Sequence, residues 1–135
     1  MSKDEQAIGR MFDGYVQAFQ TLEPRSVAFY CHVPCVFIAP QGVRVMTSPS
    51  EVESLLAAMM SALQRRGYGR SEIADMSVNR VSNSGAVVSV RRIRYRTDGS
   101  ELERLGETYM LREVDRDWKI VAAMVHDPGA ILALV

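Results

Sequence analysis

Residues 86–128 constrain the fold more than any other stretch of this chain. They read as three long strands, 86–97, 101–114 and 118–127, rich in β-branched and aromatic residues. Asp98-Gly99 and Asp115-Arg116-Asp117 supply the turns between them. A meander of this length needs another layer to cover one of its faces.

That layer is readable upstream. Ser2-Lys3-Asp4-Glu5 is a capping-box pattern, and Ile8, Phe12, Tyr15, Phe19 and Leu22 follow at spacings of four and three. One apolar stripe on a first helix results. Pro24 opens a second, short helix that should end near His32, because Pro34 disfavours helix at the residue before it. Residues 35–39 and 43–47 form a hairpin around Pro40-Gln41-Gly42. Ser48-Pro49-Ser50-Glu51 starts a third helix with Val52, Leu55, Leu56, Met59 and Leu63 as its buried stripe, and Gly67 closes it. A further strand runs over 71–82. The order predicts one α+β domain over 1–135, with three N-terminal helical segments packed on one side of a curved antiparallel sheet.

Composition excludes several classes. Sixteen basic residues balance sixteen acidic ones, so no global field draws the chain to nucleic acid. No apolar run approaches the roughly 20 residues needed to span a bilayer. The polar start MSKDEQ lacks the apolar centre of a signal peptide, and the chain is read as cytoplasmic. Cys31 and Cys35 flank His32, but zinc needs four ligands and His126 is the one other histidine. They are read as two half-buried thiols where helix hands over to strand, with no metal and no cofactor expected.

Register assigns the faces. A two-residue turn at Asp98-Gly99 sets Arg96 against Glu101, Arg94 against Glu103, Arg92 against Leu105, Val90 against Glu107 and Val88 against Tyr109. The arginine run 91–96 is thereby a charge ladder balanced by glutamates, not a phosphate-binding patch. A two-residue turn at Asp115-Arg116 sets Leu111 against Ile120, Tyr109 against Ala122, Glu107 against Met124 and Leu105 against His126. One face is then apolar, interrupted by Arg92, Glu107, Tyr109 and His126, as a small-molecule pocket requires. The opposite face carries Val87, Ser89, Ile93, Tyr95, Met110, Val121, Ala123 and Val125, apolar enough to predict a homodimer through the sheets.

The element order, Tyr15-Val16-Gln17-Ala18-Phe19, residues 29–39, the capped third helix, and Gly106-Glu107-Thr108-Tyr109-Met110-Leu111-Arg112 before Trp118-Lys119-Ile120-Val121 resemble the nuclear transport factor 2-like superfamily. That superfamily includes SnoaL-type cyclases and ketosteroid isomerases. Met124-Val125-His126-Asp127-Pro128 resembles a bacterial branch of it. The resemblance implies a cone-shaped fold, a bent sheet around a long helix with a pocket at the open end, and often dimers. It implies no single activity. Tyr15 matches the first-helix oxyanion donor of ketosteroid isomerases, but Ala39 stands where their aspartate base precedes a proline, and Tyr109 stands nearest their late-strand acid. Steroid isomerisation is therefore not expected.

The resulting expectation is a protein that binds a small, largely apolar organic molecule. Tyr15, Phe37, Met59, Arg92, Tyr109, Trp118 and Met124 are the expected ligand contacts. Any cofactor-independent isomerase, cyclase or lyase chemistry would use His126 as base, oriented by Glu107, with Tyr15 or Arg92 stabilising an enolate. The alternative is a non-catalytic dimerisation or interaction module with its cavity packed shut.

Overall fold

The computed structural model describes residues 2–131. Helices α1 (Lys3–Gln20) and α2 (Pro24–Ala28) lead into strands β1 (Cys31–Ala39) and β2 (Gly42–Met46). Helix α3 (Pro49–Arg65) follows, and then β3 (Tyr68–Arg80), β4 (Gly85–Arg96), β5 (Glu101–Val114) and β6 (Asp117–His126). The α+β layering and the three helical segments are as the sequence predicts. The caps are too: the Ser2 and Ser48 hydroxyls accept from the backbone N–H of Glu5 and Glu51, satisfying amides that the first turn leaves open.

The strands form one six-stranded sheet in the order β2-β1-β6-β5-β4-β3. It is not wholly antiparallel, because β1 and β6 pair in parallel. That pairing brings the first strand onto the last and puts the short β1–β2 hairpin at the sheet's edge. Strand β3 begins at Tyr68 rather than Ser71, and β1 begins already at Cys31. Helix α2 accordingly ends at Ala28, before the expected boundary at His32.

Helix α1 buries Ile8, Phe12, Tyr15, Val16 and Phe19 against the sheet. Val88 and Val90 of β4 and Tyr109 of β5 meet them, all fully buried. Phe12, Tyr15 and Tyr109 contact one another edge to face, with ring centroids 5.0–5.9 Å apart. Helix α3 adds Val52, Leu56, Met60 and Leu63.

The β4–β5 hairpin departs from the expected register and returns to it. Gly99 takes φ +91°, and Arg96 pairs with Ser100 around a three-residue loop rather than a two-residue one. Tyr95 therefore opposes Glu101, so the expected Arg96–Glu101 pair does not form. A bulge just beyond it restores Arg94 against Glu103, Arg92 against Leu105, Val90 against Glu107 and Val88 against Tyr109.

The β5–β6 hairpin starts as expected and then slips. Asp115 and Arg116 both have positive φ, as a two-residue turn of the favoured hand requires, and Leu111 opposes Ile120. Between Leu111 and Met110 the register then shifts, leaving Val121 as the extra residue on β6. Beyond that bulge Tyr109 opposes Ala123, Glu107 opposes Val125 and Gly106 opposes His126. The expected pairs Tyr109–Ala122, Glu107–Met124 and Leu105–His126 are thus replaced. Ala123 and Val125 turn to the inner face, while Met124 and His126 turn outward.

Gly106 shows how closely His126 is held on that outer face. A Cβ at Gly106 would meet the His126 ring and the Asp127 carbonyl oxygen, each at 2.6 Å. Gly106→Ala should lower the stability measured by chemical denaturation by about 1–3 kcal/mol. Gly106→Ala/His126→Ala should recover only part of that loss, because the backbone oxygen stays in place.

Candidate functional site

The inner face brings together one polar cluster, built on adjacent strands. Val90 opposes Glu107 and Arg92 opposes Leu105, so Arg92 and Glu107 are diagonal neighbours within reach of long side chains. Arg92 Nε lies 3.1 Å from Glu107 Oε1, and both side chains are almost wholly buried. Tyr109 donates its hydroxyl to Glu107 Oε2 at 2.8 Å and accepts from Arg92 Nη2 at 3.1 Å. Tyr15, from α1, meets the Tyr109 ring edge to face with centroids 5.9 Å apart, and the Arg92 guanidinium stands 5.6 Å over the Tyr15 ring.

These groups tune one another. Burial opposes the Arg92 charge, but Glu107, Tyr109 and Tyr15 outweigh it and hold the guanidinium above its ordinary pKa. Burial pushes the Tyr15 phenol from 10.0 up to about 12 in spite of the Arg92 charge. Burial raises Tyr109 well above the usual range as well. Both phenols are neutral hydrogen-bond donors at physiological pH, and neither is a base.

The cluster forms the polar part of the lining of an apolar cavity. Phe19 of α1, Cys31, Cys35 and Phe37 of β1, Val52, Leu55, Leu56 and Met59 of α3, and Ile120 and Ala123 of β6 supply its walls. It encloses about 550 Å³ of space free of atoms, part of it open to solvent, yet only about 50 Å³ admits the centre of a water-sized molecule. The space is a slot rather than a chamber. Arg92 Nη1 has no hydrogen-bond partner among the described residues, so the cavity's most buried cation has an N–H to offer.

The structure gathers Tyr15, Phe37, Met59, Arg92, Glu107 and Tyr109 around this slot. Three other expected site residues lie elsewhere. Trp118 is buried in the core beyond the cavity lining, with Arg80 5.8 Å over its ring. The β6 bulge puts Met124 on the outer face, 43% exposed. His126, also outward, binds Thr108 Oγ1 through Nε2 at 2.7 Å and the Asp127 carbonyl through Nδ1 at 2.9 Å. It cannot reach Glu107 or Tyr15 across the sheet.

Arg94 is the residue that the charge-ladder reading undervalued. It pairs with Glu103 at 2.6 Å as expected, but its side chain is only 9% exposed, lines the cavity, and lies 5.7 Å over the Phe19 ring. Its alternation with Arg92 and Val90 was the available signal. Cys31 opens β1 just after α2, half-buried as expected, whereas Cys35 is buried, and both line the slot. No cluster of three or more potential metal ligands occurs among the described residues.

A family model described as NTF2-like protein (DUF6841) matches residues 4–128. An NTF-2 like protein of unknown function from Shewanella oneidensis is 16% identical, with a TM-score of 0.75 over 92% of this chain and 99% of that one. A Nostoc punctiforme protein of unknown function with a cystatin-like fold is 9% identical, with a TM-score of 0.77 over 93% and 92%. Aln2 from a Streptomyces species is 15% identical, with a TM-score of 0.76 over 96% and 94%. At these identities the likeness concerns the fold. Among curated proteins nothing matches.

Two outcomes test the cluster. Glu107→Ala should cost about 3–5 kcal/mol in chemical denaturation, because it leaves the guanidinium buried without its counter-charge. Stability should also fall as pH rises from 10.0 toward about 12, because the unfolded Tyr15 phenol ionises there while the folded one stays protonated. Each such group contributes a slope of about 1.4 kcal/mol per pH unit. Tyr15→Phe should flatten the decline, read from denaturation curves across that range.

Proposed function

The chain belongs to the NTF2-like family DUF6841, and we propose that it holds a small, flat, largely apolar organic molecule in the inner cavity. The observation that carries this reading is the free Nη1 of a fully buried arginine in the wall of an apolar slot. A ligand suited to it presents an oxygen acceptor, as a carboxylate or a polarised carbonyl, and buries a thin hydrocarbon or aromatic body between Phe19, Phe37 and Met59. Tyr15 and Tyr109 set the orientation of Arg92 and Glu107 rather than exchanging protons.

The geometry favours binding over proton transfer. The Glu107 carboxylate is engaged by Arg92 and Tyr109, and His126 sits on the far face. If proton abstraction does occur, Glu107 is the carboxylate that faces the cavity, and a substrate oxygen on Arg92 would free it to act.

The outer face supports a second element of the proposal, assembly as a homodimer. Val43 and Val45 of β2, Met110 of β5 and Met124 of β6 are 61%, 56%, 57% and 43% exposed and lie on one side of adjoining strands. Val36 and Ile38 of β1 fill the gap between them. An apolar stripe across four strands is what a sheet-to-sheet interface would cover. No helix among the described residues is long and apolar enough to cross a membrane.

Native mass spectrometry tests both parts. A dimer is expected, and gentle then denaturing conditions should release a small co-purified molecule. Met110→Lys/Met124→Lys should shift the protein to monomer, and a dimer that survives this pair of charges would overturn the interface. For the cavity, Arg92→Met/Glu107→Leu removes both buried charges together and should preserve folding. Binding of anilinonaphthalene sulfonate, read by its fluorescence, should weaken about tenfold or more in that variant. Equal binding by the variant would refute an arginine-anchored ligand.

A further inference from the structure

The register of β1 against β6 draws two thiols toward each other. Cys31 opposes Ile120 and Val36 opposes Ala122, so five steps along β1 are matched by two along β6. Five extended steps would span about 16 Å and two about 7 Å. Residues 32–35 must therefore bow out of the strand and draw Cys35 back toward Cys31. His32 Nδ1 meets the Pro34 carbonyl at 3.0 Å across that bow. The Cys31 thiol donates to the Val27 carbonyl at 3.8 Å, both cysteines are unoxidised, and both line the inner cavity. A pair four residues apart in a regular strand would be far beyond the Cα separation a disulfide bridges; here the bow removes that obstacle.

We propose that Cys31 and Cys35 form a redox-active dithiol in the cavity wall, which a small hydroperoxide converts to an intramolecular disulfide. The Cys35 sulfur attacks one oxygen of the hydroperoxide. A sulfur–oxygen bond forms, the oxygen–oxygen bond breaks, and the departing alkoxide or hydroxide takes the Cys35 proton. The Cys31 sulfur then attacks the Cys35 sulfenic acid. The sulfur–sulfur bond forms, the sulfur–oxygen bond breaks, and water leaves with the Cys31 proton. Two thiols lose two electrons, and the hydroperoxide is reduced to an alcohol, or to water, plus water.

The assignment of roles follows from the surroundings. The Cys31 S–H donates to the Val27 carbonyl, a contact only the thiol form can make, and interaction with Cys35 together with burial raises the Cys31 pKa while that of Cys35 is lowered. Cys35 is thus the better source of thiolate, and Cys31 is the thiol held ready to resolve it. This inference concerns the cavity wall itself and stands whether or not an organic ligand occupies the slot.

The test is intact-mass measurement of the reduced, full-length protein before and after hydrogen peroxide. The mass should fall by two hydrogen atoms, the chain should remain a single chain on a non-reducing denaturing gel, and dithiothreitol should restore it. With two cysteines in the chain, a covalent dimer, an unchanged mass, or stable oxygen addition mapped by peptide analysis to either cysteine would overturn the proposal. Cys31→Ser should accumulate a sulfenic acid trapped by dimedone, whereas Cys35→Ser should react at least about tenfold more slowly. Faster labelling of Cys35→Ser would overturn the assignment of attacking and resolving sulfur.

Discussion

A guanidinium with no solvent exposure is the constraint around which the inner face is organised. Burying an unpaired charge costs more than any one apolar contact returns, so a fold that carries Arg92 inward must also deliver its counter-charge. Strand pairing does so. The restored register between β4 and β5 puts Glu107 diagonally across from Arg92 and sets Tyr109 two residues along the same face. Helix α1 completes the cluster by laying Tyr15 over the guanidinium. Each partner is on a different turn or strand position, so a slip in either element would leave a buried charge unmatched. The pair therefore selects one register more strongly than the surrounding valines, which would tolerate several.

The same sheet serves two purposes on its two faces. Inward, the polar cluster and the apolar residues of α1 and α3 leave a narrow slot instead of filling it. Outward, an apolar stripe crosses β2, β1, β6 and β5, while β3 and β4 carry paired charges, such as Arg91 with Asp75 at 2.6 Å. The bulge at Val121 arbitrates between the faces. It exchanges the residues of β6 from Ala122 onward, so that small Ala123 borders the cavity and flexible Met124 joins the exposed stripe. A bulge is one residue, but a strand's period of two makes it reverse every side chain beyond it.

Irregularity is also where the unexpected chemistry lies. The bow at residues 32–35 interrupts the parallel pairing of β1 with β6 and sets two thiols against the cavity. Regular alternation on β1 would have kept them apart. The β4–β5 hairpin shows the contrasting case, in which a three-residue loop and a following bulge cancel, and the side chains of the site end up where an unbroken ladder would have put them.

The amino-acid sequence by itself determined the local elements and most of the first-order pairing. Caps at Ser2 and Ser48, the stripe Ile8-Phe12-Tyr15-Phe19, the hairpin turns and the inward placement of Arg92, Glu107 and Tyr109 all follow from short-range rules. Helix periodicity, capping chemistry and turn geometry act over a few residues and leave legible patterns. Tertiary structure alone decided which way His126 and Met124 point, how deeply Arg94 is buried, and that Cys31 and Cys35 both line the slot. Those outcomes depend on bulges and on the parallel docking of β1 against β6. Both bring together segments far apart in the chain, which no local pattern encodes.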